Sequence, residues 1–228
     1  MGKKFFIAGT DTDVGKTLVA CALLEKARQE GLVTAAIKPV AAGCEQTPNG
    51  LRNDDALQLQ QAMTLDLLYE QVNPVALEPA IAPHIAAEQV QKRLRVAQLS
   101  GFCRGVMMQR SDLLLVEGAG GWRVPLNSVE TLADLAKDLQ LPVILVVGMK
   151  LGCINHALLT AEAIARDGLP LAGWVANGVS EMSAYQENLN TLKHLLPAPC
   201  LGIVPALDKV SALAAAVYLD LTPLSLGQ

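Results

Sequence analysis

The first thirty residues constrain the fold more than any other part of the chain. An apolar run, Phe5-Phe6-Ile7-Ala8, leads into Gly9-Thr10-Asp11-Thr12-Asp13-Val14-Gly15-Lys16-Thr17, and a helix-patterned run from Leu18 to Arg28 follows. A buried strand, a glycine-containing loop and a helix form the arrangement of a phosphate-binding P-loop. The loop's backbone N–H groups and the helix N-terminus converge on one spot, which attracts polyphosphate. Lys16 adds a mobile positive charge and Thr17 a hydroxyl able to face Mg2+. Thr10 stands where the first glycine of the common pattern falls, so the match is to a variant of the motif. A turn that merely starts a helix is the alternative. The preceding first strand and the two acids inside the loop argue against it.

The rest of the chain repeats that alternation. Strand-like runs occur at Phe5–Ala8, Val33–Ile37, Leu113–Val116, Val143–Val147, Leu171–Ala176 and Leu201–Val204. Most are apolar throughout, as strands covered on both faces of a parallel sheet are. Helical periodicity fits Thr17–Glu30, Asn53–Ala62, Leu94–Gln109, Leu132–Leu139, Asn155–Arg166, Ala184–Leu195 and Lys209–Tyr218. Strands alternating with helices predict an α/β protein of the P-loop NTPase type: a single doubly wound, mainly parallel sheet flanked by helices. The three prolines of Asn73–Pro83 read as an irregular insertion, not as a boundary, so residues 1–228 are expected to form one domain.

Composition narrows the partners. The chain is 51% apolar and only 4% aromatic, so Ala, Val, Leu and Ile must fill the core. A net charge of −4 with no basic run argues against nucleic acid and anionic membrane. The longest apolar run, Leu141 to Met149, falls well short of the ~18 residues that span a bilayer. Five scattered cysteines with no C-x-x-C pair suggest reduced thiols and a cytoplasmic location. No signal peptide is expected ahead of Phe5.

Ligands of such sheets bind beyond the C-terminal strand ends, and each end here carries polar or glycine residues. Asp112 through Glu117 resembles a strand that ends in a metal-binding carboxylate, with an ordinary acidic strand end as the alternative. The glycines of Glu117-Gly118-Ala119-Gly120-Gly121 allow close backbone approach to a phosphate. Lys38, stiffened by Pro39, would place a second ammonium beside a γ-phosphate; a surface lysine is the bland reading. In Asn53-Asp54-Asp55, helix capping and a metal contact both stand as readings. Gly152-Cys153-Ile154-Asn155-His156 opens a helix whose N-terminus suits a carboxylate, or is a plain turn. His156 reads as a structural or surface histidine rather than a general base, and for His84, in Pro83-His84, both readings stand.

Taken together these residues resemble the dethiobiotin synthetase family. The matching stretches are Gly9 to Thr17, Lys38-Pro39-Val40-Ala41, Gly50 to Ala56, Val72-Asn73-Pro74, Val116 to Trp122, Leu151 to His156 and Gly173-Trp174-Val175-Ala176-Asn177. The resemblance implies an ATP-dependent cyclo-ligase of biotin synthesis acting on 7,8-diaminopelargonate, CO2 and MgATP. Asp13, Val14, Gly15, Lys16, Thr17 and Leu18 would contact ATP; Thr17, Asp55 and Glu117 would ligate Mg2+. Lys16 and Lys38 would stabilise the carbamate and the transferring phosphoryl group. Glu117, Gly118, Ala119 and Gly120 would line the phosphates. Asn177 and Gly178, with Pro205, Ala206 and Leu207, would read adenine. Gly152, Cys153, Ile154 and Asn155 would hold the substrate carboxylate from the partner subunit of a homodimer. One position departs: Ala42 stands where family members carry a substrate-contacting serine, removing a hydrogen bond typically worth ~0.5–1.5 kcal/mol.

Two other classes fit less well. A switch ATPase of the partitioning kind shares the fold, but its loop often carries a second lysine, and none precedes Lys16 in this loop. A glutamine-using amidoligase needs an added glutaminase domain, and the short stretch after Leu207 is expected to leave no room for one.

Overall fold

In the computed structural model, which describes residues 2–179 and 182–226, the six strands expected from the apolar runs all form, and all pair in parallel. They are β1 (Lys3–Gly9), β2 (Thr34–Ile37), β7 (Leu113–Glu117), β8 (Val143–Gly148), β9 (Leu171–Asn177) and β10 (Cys200–Val204). Their order across the sheet is β10-β9-β8-β1-β7-β2. Continuous apolar sequence is what such strands need, because helices cover both faces: every residue of β2, β7 and β8 is buried. The chain runs from β7 across β1 to β8. This reversal of direction opens a crevice at the C-terminal end of β1, and the P-loop lies there.

The long helices also form: α1 (Lys16–Gln29), α2 (Asp54–Ala62), α5 (Val96–Met107), α6 (Leu132–Leu139), α7 (Cys153–Arg166) and α8 (Tyr185–Leu195). Helix α6 starts where the Asp134 carboxylate accepts from both the N–H and the hydroxyl of Thr131, each at 2.8 Å. The last expected helix is corrected: of Lys209–Tyr218 only α9 (Ala212–Ala216) is helical. Leu219 forms a bridge with Gly202 and the Asp220 N–H donates to the Leu201 carbonyl at 2.8 Å, so β10 pulls the chain out of the helix.

The Asn73–Pro83 segment is more ordered than an irregular insertion. It contributes β6 (Val75–Ala76), which pairs in parallel with β3 (Val40–Ala41) just after Lys38. Two short helices, α3 (Tyr69–Val72) and α4 (Pro83–Gln89), flank it. The hairpin of β4 (Glu45–Thr47) and β5 (Gly50–Arg52) leads into α2. No helix among the described residues is long and apolar enough to cross a membrane.

Candidate functional site

The loop after β1 is held from beneath. Val14 is buried against Gly148, where an added Cβ would come within 2.7 Å of the Val14 side chain. Gly15 takes φ +83° and Asp13 φ +57°, so the backbone turns through the left-handed region before α1 begins. The Asn177 carboxamide at the end of β9 donates to the Val14 carbonyl at 2.9 Å. Lys16 lies across the loop, its ammonium 3.4 Å from the Asp11 carbonyl. Burial pulls the Lys16 ammonium below the usual lysine range, against the attraction of Glu117 and with the repulsion of Lys38.

Beside this loop four side chains from distant parts of the sequence meet. Glu117, at the end of β7, is 0% exposed. Its Oε1 accepts from the Thr17 hydroxyl at 2.8 Å and from the Lys38 ammonium at 2.6 Å. Lys38 also reaches Asp55 Oδ2 at 2.5 Å. Burial alone would lower the Lys38 pKa, but the two carboxylates outweigh it and hold the ammonium above the usual lysine range. Burial likewise pushes Asp55 up, while Lys38 overcomes it and keeps the carboxyl below its usual value.

Each member is placed by local structure. Lys38 has its N–H on the Val72 carbonyl at 2.8 Å, and its own carbonyl accepts from the Asn73 side chain at 2.7 Å. Asp55 is in the first turn of α2, which Asn53 caps by accepting from the Ala56 N–H. Tyr69 accepts from the Asn53 N–H at 2.8 Å and holds the Arg52 guanidinium over its ring at 4.1 Å. Asparagines 53 and 73 and Tyr69 thus form a scaffold that the sequence reading did not identify as part of the site. The Asn-Asp-Asp cap and the Asn-Pro pair were its only visible traces.

A cleft of about 920 Å³ runs past this cluster. Asp13, Gly15, Lys16, Thr17, Lys38 and Asp55 line its polar end, with Ala119 and Gly120 beside them. Ala41, Ala42, Ala80 to Pro83, Val124 and Pro125 make its far wall, where Arg123 also stands, ion-paired with Asp167 at 2.8 Å. Val14 and Leu18 pack into the core, so what they offer the cleft is backbone. Gly178, Pro205 and Ala206 line a second cleft of about 750 Å³ with Met182, Ser183 and Tyr185. Asn177 stands between that cleft and the P-loop, and Leu207 packs on the edge of the core.

The Gly152–Asn155 stretch lies apart, lining neither cleft. Gly152 (φ +94°) caps α7, Cys153 is buried, Asn155 faces outward and neighbouring Leu151 is 92% exposed.

The donor set suits Mg2+. Thr17 Oγ1, Asp55 and Glu117 are hard oxygen ligands, and Glu117 Oε2 is buried with no hydrogen-bond partner. Buried polar atoms normally have partners, and a cation supplies one. No group of three or more His, Cys, Asp or Glu side chains able to hold a metal occurs among the described residues. Two carboxylates and a hydroxyl next to a phosphate cradle match the way Mg2+ is held in nucleotide sites, where substrate phosphates complete the shell.

Fold and site together define a P-loop nucleotide-binding protein. Solved structures share the architecture: a ParA family ATPase from Chlorobium tepidum (TM-score 0.60, 11% identity, 99% of this chain and 100% of that one) and the signal recognition particle receptor FtsY of Elizabethkingia anophelis in complex with GDP (TM-score 0.54, 13% identity, 98% and 62%). A family model described as an AAA domain (AAA_26) matches residues 3–214. The chain is 64% identical to the ATP-dependent dethiobiotin synthetase BioD of Cellvibrio japonicus, over 97% of each chain, and 59% identical to that of Pseudomonas aeruginosa strain UCBPP-PA14, over 98% of each. The chain belongs to the dethiobiotin synthetase family.

Proposed function

We propose that the protein is an ATP-dependent cyclo-ligase that makes dethiobiotin from 7,8-diaminopelargonate and CO2, as a cytoplasmic homodimer with a site at each subunit boundary. The observation that carries this reading is the Lys38 ammonium, held between Asp55 and Glu117 at the edge of the phosphate loop. The homodimer and the roles of individual residues follow from the family resemblance.

One amine of the substrate adds to CO2 and loses a proton, giving a carbamate. A carbamate oxygen attacks the γ-phosphorus as the bond to the β,γ-bridging oxygen breaks, giving ADP and a carbamic–phosphoric anhydride. The second amine attacks the carbamoyl carbon, phosphate leaves, a proton is lost and the cyclic urea closes. Lys16 and Lys38 stabilise charge on the carbamate and on the phosphoryl oxygens, which is where such transfers need it. Thr17, Asp55 and Glu117 would hold Mg2+, which when bound neutralises phosphate charge. Ala119 and Gly120 let the backbone approach the phosphates. Ala42 and the apolar wall at Ala80 to Pro83 accept the substrate chain. Its carboxylate meets the Gly152–Asn155 helix start of the second subunit, supported by the exposure of Gly152 and Asn155.

The test is ADP release from MgATP and bicarbonate with and without 7,8-diaminopelargonate, with dethiobiotin followed by mass. Substrate-dependent ADP release matched one-to-one by dethiobiotin is expected. Substrate-independent hydrolysis with no new product would overturn the reading in favour of a switch ATPase.

A further inference from the structure

We infer that Asn177 is a positioning residue of the phosphate loop: it sets the peptide plane between Val14 and Gly15, so that polyphosphate affinity depends on it even when no base is present. This rests on the nucleotide reading above and goes beyond the adenine contact that the resemblance implies.

The peptide geometry carries the argument. The carbonyl of Val14 and the N–H of Gly15 belong to one planar trans peptide unit and point in opposite directions. The Asn177 Nδ2–H bond to the Val14 carbonyl, 2.9 Å long, therefore also fixes the direction of the Gly15 N–H. That N–H therefore points away from the Asn177 carboxamide, and Gly15 lines the cleft together with Lys16 and Thr17. The plane is free to rotate unless held, because Gly15 lacks a Cβ and sits at φ +83°. A Cβ built on Gly15 would collide with the Asn177 carboxamide. Loop and carboxamide are therefore in direct contact, and the left-handed turn is set against that side chain.

The clamp itself is rigid. Asn177 is 4% exposed, and its carbonyl accepts from the Met149 N–H at 2.8 Å. Its register partner in β8 is Gly148, the residue that packs against Val14. The next residue, Gly178, donates its N–H to the Val204 carbonyl at 2.8 Å. A strand end fixed by both neighbouring strands thus transmits its position to the loop through one side chain. Cradling an anion with backbone N–H groups depends on those groups being oriented before the anion arrives.

The same bond constrains what Asn177 can offer a base. Rotating the carboxamide to exchange oxygen and nitrogen would break the bond to Val14. Only Oδ1, which makes no hydrogen bond among the described residues, remains to face a ligand, and it can only accept. An exocyclic amino group meets it with a donor, whereas the oxygen of a 6-oxopurine meets it acceptor to acceptor.

The experiment is calorimetric binding of inorganic tripolyphosphate, ATP and GTP, each with Mg2+, to wild-type protein and to Asn177→Ala. The expected result is a loss of about fivefold or more in tripolyphosphate affinity, the scale of one hydrogen bond. ATP affinity falls by at least as much, and the preference for ATP over GTP narrows. Unchanged tripolyphosphate affinity with weakened ATP would overturn the positioning role and leave a base contact alone. Wild-type protein that binds none of the three would overturn the nucleotide reading and this role together. Should Asn177→Ala fail to fold, NMR of the wild-type carboxamide decides: protons protected from solvent exchange support the clamp, and rapidly exchanging ones overturn it.

Discussion

The two ends of the proposed site are built in opposite ways. At the phosphate end the clustered groups are paired before any ligand arrives: Lys38 with Asp55 and Glu117, Thr17 with Glu117, Lys16 against the loop carbonyl. All of these come from one subunit, and most are buried. At the proposed carboxylate end the helix start is far less furnished: Gly152 and Asn155 are exposed, Cys153 is buried, and Leu151 projects beside them. Charge stabilisation needs a dry and fixed setting, because interactions strengthen as water is excluded. Recognition of a substrate tail needs only a few donors and can be completed by a second chain. In the proposed homodimer this contrast would separate chemistry preassembled within the protomer from substrate recognition completed between protomers.

The strongest way to break this contrast is at Lys38. Lys38→Leu should reduce turnover by about a hundredfold or more, in line with removing a preorganised charge-stabilising donor, while ATP still binds. Unimpaired turnover would place the chemistry elsewhere. Glu117→Ala removes one partner of a buried pair and should lower stability by about 3–5 kcal/mol, read as a shift of the urea midpoint. A shift within error would show that the cluster is hydrated and not preassembled. At the other end, Asn155→Trp should raise the KM for 7,8-diaminopelargonate by roughly tenfold, a loss of ~1.4 kcal/mol, and leave the KM for ATP unchanged. Equal losses for both substrates would erase the division between the ends.

Two smaller effects sharpen the picture. Ala42→Ser restores a hydroxyl to the cleft wall and should tighten substrate binding by about two- to tenfold, the range of one neutral hydrogen bond; isothermal titration with a non-reacting nucleotide present reads this. The smallest effect concerns acid. Asp55 has its pKa lowered on folding, so its ionised form contributes stability above its unfolded value of 3.8. That contribution is lost as pH falls through the still lower folded value. The partial exposure of the side chain limits its size. Urea unfolding between pH 5 and pH 2 should show a shallower decline in Asp55→Asn than in wild type, and parallel declines would contradict the Asp55–Lys38 pairing.

The sheet was legible because its strands are buried on both faces, and an unbroken apolar run is hard to place otherwise. The short elements around Lys38 were not. Strands β3 and β6 are two residues each, and helix α3 is a single turn held by Lys38, Asn53 and Asn73 through contacts that no local pattern encodes. Helix α9 was over-extended because its apolar residues kept a helical spacing, while the competing bridge to Gly202 is tertiary. Within the site, the loop lysine, threonine and strand-end carboxylate were readable from motif spacing. The Thr17–Glu117 contact joins residues a hundred positions apart and needed the fold. Asn177 was recognised as a strand-end residue, but its bond to Val14 was not, because strand order decides which loop a strand end faces.

The backbone of Lys38 is tied on both sides to the Val72–Asn73 corner, while its ammonium is held, among the described residues, by two carboxylates that a metal could also claim. The residue is thus a fixed pivot carrying an exchangeable tip. In a map of mutational tolerance, Asn73 should therefore score with the active-site residues although it lines neither of the larger clefts, since losing it would leave the lysine intact and misaimed.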